Sequence, residues 1–359
     1  MVHACIGLVA VIGQAPVGGV VCADAGAGGY QAFPDVVRLA SGDILCVFYA
    51  GYGHISFPRE DLPNGARVCQ VRSADDGQTW GAPTVVADTP WDDRDPSIAQ
   101  LPDGSLICNW FTYTAGQEKH REGNIANYKE IYVARSRDDG RTWSEPELVE
   151  STAGDHWGCS SPVRVLTSGV LIMPIYRELT DPLRCWSFVI RSQDNGQTWG
   201  EPIPIDPAND DNDEPDIVEL PGGRLLCVMR TNHVDTNRMW RSESTDGGRT
   251  WSRSEPMPFT GQAPYLLRTT SGVLICGHRL PGTSFHYSLD DGATWSENIQ
   301  VDEHIGAYTS MCELPDGRVL LVYYEEGEGS AIRSVFLEIR DGRVDVIGGR
   351  HPESPVKAG

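Results

Sequence analysis

The pattern Ser-x-Asp-x-Gly-x-Thr-Trp occurs five times: SADDGQTW from Ser73, SRDDGRTW from Ser136, SQDNGQTW from Ser192, STDGGRTW from Ser244 and SLDDGATW from Ser288. A recurring motif constrains a fold more than local propensity does, because each copy must be one unit of a repeated architecture. The residue types read as a tight turn between two strands. Asp accepts backbone N–H bonds, Gly supplies a positive φ, and Trp opens the next strand while packing back on the turn. The paired carboxylates of SADDGQTW are therefore read as turn residues, not as chemistry.

A second repeat runs between the boxes. A turn glycine leads into an apolar strand in SGDILCVF, PDGSLICNW, TSGVLIMPI, PGGRLLCVM, TSGVLICGH and PDGRVLLVY, at Gly42, Gly104, Gly169, Gly223, Gly272 and Gly317. These six units are spaced by 45 to 65 residues. A short alternating strand precedes each glycine, as in PDVVRLAS, PSIAQLPD and PDIVELPG. Each unit reads strand, turn, strand, loop, strand, Asp turn, strand. Such units repeated radially predict an all-β, six-bladed β-propeller, one domain over residues 1–359. The unit at Gly317 lacks an Asp turn and ends in RSVFLEIR and RVDVIGG. The N-terminal run ACIGLVAVIG is expected to supply a strand to this last blade and close the ring.

Charge narrows the partners. A net charge of −21 argues against nucleic acid or an anionic membrane surface. No apolar run is long enough to span a bilayer. ACIGLVAVIG has no Lys or Arg before it and reads as a strand rather than a signal peptide, which makes a cytoplasmic location the expectation. Of ten cysteines, Cys46, Cys108, Cys227 and Cys276 lie inside apolar runs and no Cys-x-x-Cys pair occurs. They read as buried hydrophobes, so no metal site and no cofactor is expected.

In a propeller the innermost strand of each blade lines a central funnel, and the Asp turns lie on the face opposite its mouth. With the glycines as a ruler, the position nine residues earlier starts the inner strand. That position is Phe33, Asp95, Glu214, Ala263 and Tyr308; the blade at Gly169 offers Ser160 or Ser161. Seven or eight residues after the glycine stand Arg177, Arg230 and Arg279 in successive blades. Taken singly, each has an ordinary explanation. A strand-end Arg is most often solvated or salt-bridged, a Tyr packs, and Glu214 neutralises Arg230. Three arginines converging with carboxylates and a tyrosine suggest an anion-binding pocket.

At these residues the chain resembles the sialidase (neuraminidase) superfamily of Asp-box, six-bladed propellers, over essentially its whole length. EPDIVELPGGRLLCVMRT resembles the family segment with a catalytic glutamate, here Glu214, and a substrate-binding arginine, here Arg230. AYTSMCELPDGRVLLVYYEEG resembles the segment with the nucleophilic tyrosine, here Tyr308, and the conserved-type end at Glu325. Arg279, in CGHRLPG, matches another carboxylate-binding arginine. The family's first blade begins Tyr-Arg-Ile-Pro, whereas YQAFPD from Tyr30 has no arginine. The resemblance thus implies an arginine clamp that is either incomplete or rebuilt with Arg177, Arg59 or Arg94. The family's acid/base aspartate lies in the loop after the first blade's second strand. In AGYGHISFPREDLPNG the nearest match is Asp61, with His54 as competitor, while register alone puts Asp95 at the funnel.

The resemblance implies exo-hydrolysis of a terminal acidic sugar from a glycan. Tyr308 attacks, Glu214 takes its proton, Asp61 or Asp95 protonates the leaving oxygen, and Arg230 and Arg279 hold the carboxylate. A neutral tyrosine avoids the repulsion that a carboxylate nucleophile would meet at such a sugar. Two other readings stay open. One is an exo-glycosidase or uronate-cleaving enzyme using Asp95 and Glu214; the other is a glycan-binding propeller without catalysis.

Overall fold

The structure, a computed structural model, describes residues 19–114, 129–154, 156–180, 183–232, 237–302, 308–327 and 330–348. The strands form six antiparallel sheets, four of them four-stranded, in sequence order around the ring. Blade I shows the plan: Tyr30–Arg38 innermost, then Ile44–Gly51, Arg67–Ser73 and Thr84–Ala87. The inner strands of blades II, IV, V and VI are Asp92–Gln100, Asn212–Glu219, Tyr265–Arg268 and Ser310–Glu313. Blade III departs from the plan. Its inner strand is split into Trp157–Gly158 and Arg164–Val165, both paired with Leu171–Thr180.

The apolar runs after the turn glycines are the second strands, and Ile44–Gly51, Leu274–His278 and Val319–Tyr324 are buried throughout. They read as continuous hydrophobic runs because neighbouring blades cover both faces of each sheet. The core is accordingly a set of seams between blades. Leu45 of blade I packs with Leu106 and Trp110 of blade II. Ile172 packs with Leu225 and Met229, and Ile275 with Leu321, at two further seams.

The Asp boxes clasp these seams. Asp138 accepts the Thr142 amide at 2.9 Å and the Thr142 hydroxyl at 2.6 Å, and the same pair recurs at Asp75, Asp194, Asp246 and Asp290. The threonine hydroxyl and amide hold the carboxyls of Asp138, Asp194 and Asp290 below their ordinary range. Gly140 sits at φ +78°, and a Cβ there would meet Leu45 Cδ1 of the preceding blade at 2.6 Å. Register places the boxes at the end remote from the mouth. In blade IV, Leu225 lies opposite both Glu219 and Ser244, while Asp213 lies opposite Arg230 at the other end.

The ring closes on blade VI. Strand Ile332–Arg340 takes Val20–Cys22 along its first residues and Arg343–Ile347 along its last. The N-terminal closing strand is thus Val20–Cys22, while ACIGLVAVIG falls outside the described residues. Ser330 Oγ, donating to the Gln31 carbonyl at 2.7 Å, ties blade VI to blade I.

Candidate active site

Four mouth positions share an unusual backbone. Phe33, Asp95, Glu214 and Ala263 each precede a proline and adopt φ of +51°, +49°, +45° and +51°. The ladder slips at three of them, between Ala32 and Asp35, Arg94 and Ser97, and Asp213 and Asp216. A bulge inserts a residue and re-aims the side chain there. Left-handed backbone in a non-glycine residue costs on the order of 1–3 kcal/mol, a strain that clusters at working sites. The recurring x-Pro dipeptides FP, DP, EP and AP carried this signal in the sequence, beyond what the glycine ruler used.

The bulges bring the ruler residues onto the axis. A narrow space of about 10 Å³ is lined by Phe33, Asp95, Ser160, Ala263 and Tyr308, from five blades. Ser160 takes the blade III position; Ser161 turns away and donates to the Pro215 carbonyl at 3.0 Å.

Tyr308 Oη donates to Glu214 Oε1 at 2.5 Å, and Arg230 Nη1 donates to the same oxygen at 2.7 Å. Glu214 Oε2 is buried without a hydrogen-bond partner. Burial pushes the Glu214 carboxyl up, but Arg230 and Arg279 outweigh it and hold the group below its ordinary value. Burial, then the Glu214 charge, drives the Tyr308 hydroxyl well above its ordinary value. At neutral pH the pair is therefore an intact phenol facing a carboxylate.

The arginines differ in what they have left to offer. Arg230 is engaged by Glu214, by Asn232 Oδ1 at 3.2 Å and, more loosely, by Asp213. Arg279 lies 5.1 Å above the Tyr308 ring, makes no salt bridge among the described residues, and has a buried Nε without a partner. Arg177 sits 5.9 Å from the Trp157 ring on the blade III side. Asp95 is 5% exposed, accepts Ser160 Oγ at 2.8 Å through Oδ2, and leaves Oδ1 unpartnered. Burial pushes its carboxyl up to about 6, with Arg94 opposing and Glu214 adding to the shift.

The first-blade side of the mouth is an aromatic wall. The Phe33 ring lies 5.1 Å from Tyr308, 5.2 Å from Tyr324 and 5.4 Å from His54. Arg94 stands 5.3 Å over Phe33, but it is buried and bound to Asp92 Oδ2 at 3.2 Å and to the His54 carbonyl. Because Arg94 donates to His54 Nε2 at 3.3 Å, the hydrogen of a neutral His54 belongs on Nδ1, 3.1 Å from Tyr30 Oη. Tyr30 in turn donates to Glu326 at 2.9 Å, as Tyr324 does at 2.8 Å.

Two expected site residues lie elsewhere in this arrangement. Glu325 is bound to Arg333 at 2.6 Å, and the next residue, Glu326, faces the wall instead. Asp61 is 71% exposed and bound to Arg59 at 2.7 Å, and Arg59 stacks 3.8 Å over Tyr52. Neither Asp61 nor Arg59 makes a described contact with the Tyr308–Glu214 pair. Sequence reasoning missed Tyr30, Asp213, Asn232 and Glu326, which reach the site through partners distant in the chain. Among the described residues no group of His, Cys, Asp and Glu is placed to hold a metal ion, and no helix is long and apolar enough to cross a membrane.

The family model described as a BNR repeat-like domain matches residues 68–263. A sialidase of Micromonospora viridifaciens is 27% identical over 307 residues, covering 75% of this chain and 46% of that protein. A sialidase of Paraclostridium sordellii is 27% identical over 253 residues, covering 64% and 58% respectively. The chain thus spans about half the length of these curated relatives. A solved structure of a protein of unknown function from Dyadobacter fermentans superposes with a TM-score of 0.77 over 91% of this chain and 99% of that one. At 22% identity that likeness speaks for the fold alone. By the family match, its Asp boxes and its six blades, this chain belongs to the BNR repeat-like family, within the sialidase superfamily of propellers.

Proposed function

We propose that this propeller is a retaining exo-glycosidase that releases a terminal acidic sugar from a glycan. The observation that carries this reading is the 2.5 Å bond from Tyr308 Oη to Glu214 Oε1, beside a guanidinium, Arg279, that makes no salt bridge among the described residues. Arg279, backed by Arg230, holds the sugar carboxylate. Tyr308 Oη attacks the anomeric carbon and passes its proton to Glu214 as the glycosidic bond breaks. Asp95, protonated under mildly acidic conditions, gives its proton to the leaving oxygen. Asp95 then takes a proton from the water that attacks the anomeric carbon. Tyr308 leaves and recovers its proton from Glu214. Asp61, on the exposed rim, has no part in this sequence.

Tyr308→Phe tests the reading with chromogenic glycosides of sialic acids, related nonulosonic acids and uronic acids. The variant should fold and lose turnover; full activity would sink the assignment. A second reading is favoured by the burial of Asp95 within reach of the Glu214 charge, the two carboxyls then acting without the tyrosine. Aryl glycosides separate the two, because a good leaving group needs no proton. On them Asp95→Asn keeps the first burst of aglycone release if Asp95 is the acid/base, although the later attack of water slows, and loses the burst if Asp95 is the nucleophile.

A further inference from the structure

Two carboxyls crowd one guanidinium at the mouth end of blade IV. Strand Asn212–Glu219 carries Asp213 beside Glu214, and its pairing sets Asp213 opposite Arg230. Glu214 Oε1 lies 2.7 Å from Arg230 Nη1, and Asp213 Oδ1 lies 3.8 Å from Arg230 Nε. That oxygen and that Nε are both buried without hydrogen-bond partners. Asn232 links the two sides. Its Nδ2 donates to Asp213 Oδ2 at 3.1 Å, and its Oδ1 accepts from Arg230 Nη2 at 3.2 Å.

The remaining charges near Asp213 do not relieve the crowding. Glu178, from Leu171–Thr180, is held by Lys129 at 2.6 Å. Asp211 is turned to the Thr231 hydroxyl. The Cys185 thiol, from Leu183–Ser192, touches Asn232 at 3.2 Å and is itself pushed far up by burial. Arg279 acts on Glu214. Glu214 thus feels both Arg230 and Arg279, whereas Asp213 has only its share of Arg230, and in a low dielectric that share does not fully compensate a second ionised carboxyl. Burial, with the Glu214 charge adding to it, pushes Asp213 up while Glu214 is held down.

We propose that Asp213 is a positioning residue for the reaction: by sharing Arg230 with Glu214, it governs how strong a base the Tyr308 hydroxyl faces. This rests on the Tyr308–Glu214 reading of the site. With Asp213 neutral, Arg230 bears wholly on Glu214 and weakens it as a base. With Asp213 ionised, the guanidinium is divided and Glu214 gains basicity. Asp213 makes no described hydrogen bond to Tyr308, so it acts on the hydroxyl through Glu214, by its claim on Arg230 and by its own charge.

The test is a carboxyl ¹³C NMR titration of wild type and Asp213→Asn, with Glu214→Gln for assignment, alongside kcat and KM against pH. Because Asp213 is still protonated where Glu214 titrates, the main Glu214 midpoint should hold in Asp213→Asn, and what the variant should lose is the second inflection of the Glu214 resonance at the Asp213 midpoint. The kcat of the variant should fall above the Asp213 midpoint while KM stays as in wild type. A second inflection that persists in Asp213→Asn, or a raised KM with kcat intact, overturns the proposal. Should Asp213→Asn fold poorly, wild type decides. Sharing gives the Glu214 resonance a second inflection at the Asp213 midpoint, and a single inflection overturns it. Absence of turnover on every glycoside overturns the parent reading alone, because the Glu214 resonance still upholds or overturns the shared guanidinium.

Discussion

Tyr308 of blade VI and Glu214 of blade IV share a 2.5 Å hydrogen bond although a whole blade separates them. What lets them meet is the blade between, whose mouth residue is Ala263, at φ +51° and carrying only a methyl group. Its neighbour Gln262 accepts the Arg279 amide at 3.1 Å, which sets Arg279 beside this gap.

Filling the gap should separate the pair. Ala263→Leu is expected to abolish turnover while circular dichroism stays that of the folded propeller. A variant with wild-type kcat would show that the gap is dispensable.

Removing the acceptor isolates its role. Glu214→Gln leaves Tyr308 a neutral partner and leaves Arg230 to Asp213 alone. Turnover is expected to fall by about 10²–10⁴-fold, the range for a proton acceptor. Steady-state kinetics against a glycoside that wild type cleaves checks this, and a fall of less than tenfold would remove Glu214 from the role.

Asp95 makes stability depend on pH. Its folded carboxyl lies near 6, above an unfolded value of about 4. Folding therefore favours its protonated form. That contribution is whole below about pH 4 and is lost as pH rises through 6. The loss amounts to about 3 kcal/mol at most, from roughly two pH units at 1.36 kcal/mol each. Asp95→Asn cannot ionise, so its urea midpoint should gain on wild type between pH 4 and pH 7. Equal differences at both pH values would contradict the buried placement. If Asp95 is the acid, wild-type turnover also declines above about pH 6.

The boxes should matter to stability and not to chemistry. Gly140→Ala places a Cβ 2.6 Å from Leu45 Cδ1 at a backbone of φ +78°. A loss of about 1–3 kcal/mol is expected from overpacking and left-handed strain. Turnover per folded molecule should be unchanged, measured at a temperature where both proteins are fully native.

The legible parts of the site were those tied to a periodic ruler. Counting nine residues back from each turn glycine reached Phe33, Asp95, Glu214, Ala263 and Tyr308; the structure gathers four of them around one narrow space and bonds the fifth, Glu214, to Tyr308. The count held in blade III as well, where Ser160 stands nine residues before Gly169 although the inner strand is broken in two. At Glu325 no ruler applied, and just beyond the strand Val319–Tyr324 it is Glu326 that meets Tyr30 and Tyr324 while Glu325 pairs with Arg333. Asp61 was matched by loop position alone, and its described partner is Arg59 on the exposed rim.

By itself, the sequence determined the propeller: turn chemistry, alternation and apolar runs are local, and repeated units admit one way of burying their faces. Charge compensation was decided by tertiary structure. Whether a guanidinium is spent, as Arg94 is on the His54 carbonyl of blade I, or left open among the described residues, as Arg279 is, depends on partners brought close only when the blades assemble. Those pairings act over a few ångströms through a medium of low dielectric, and no local pattern in the chain encodes them.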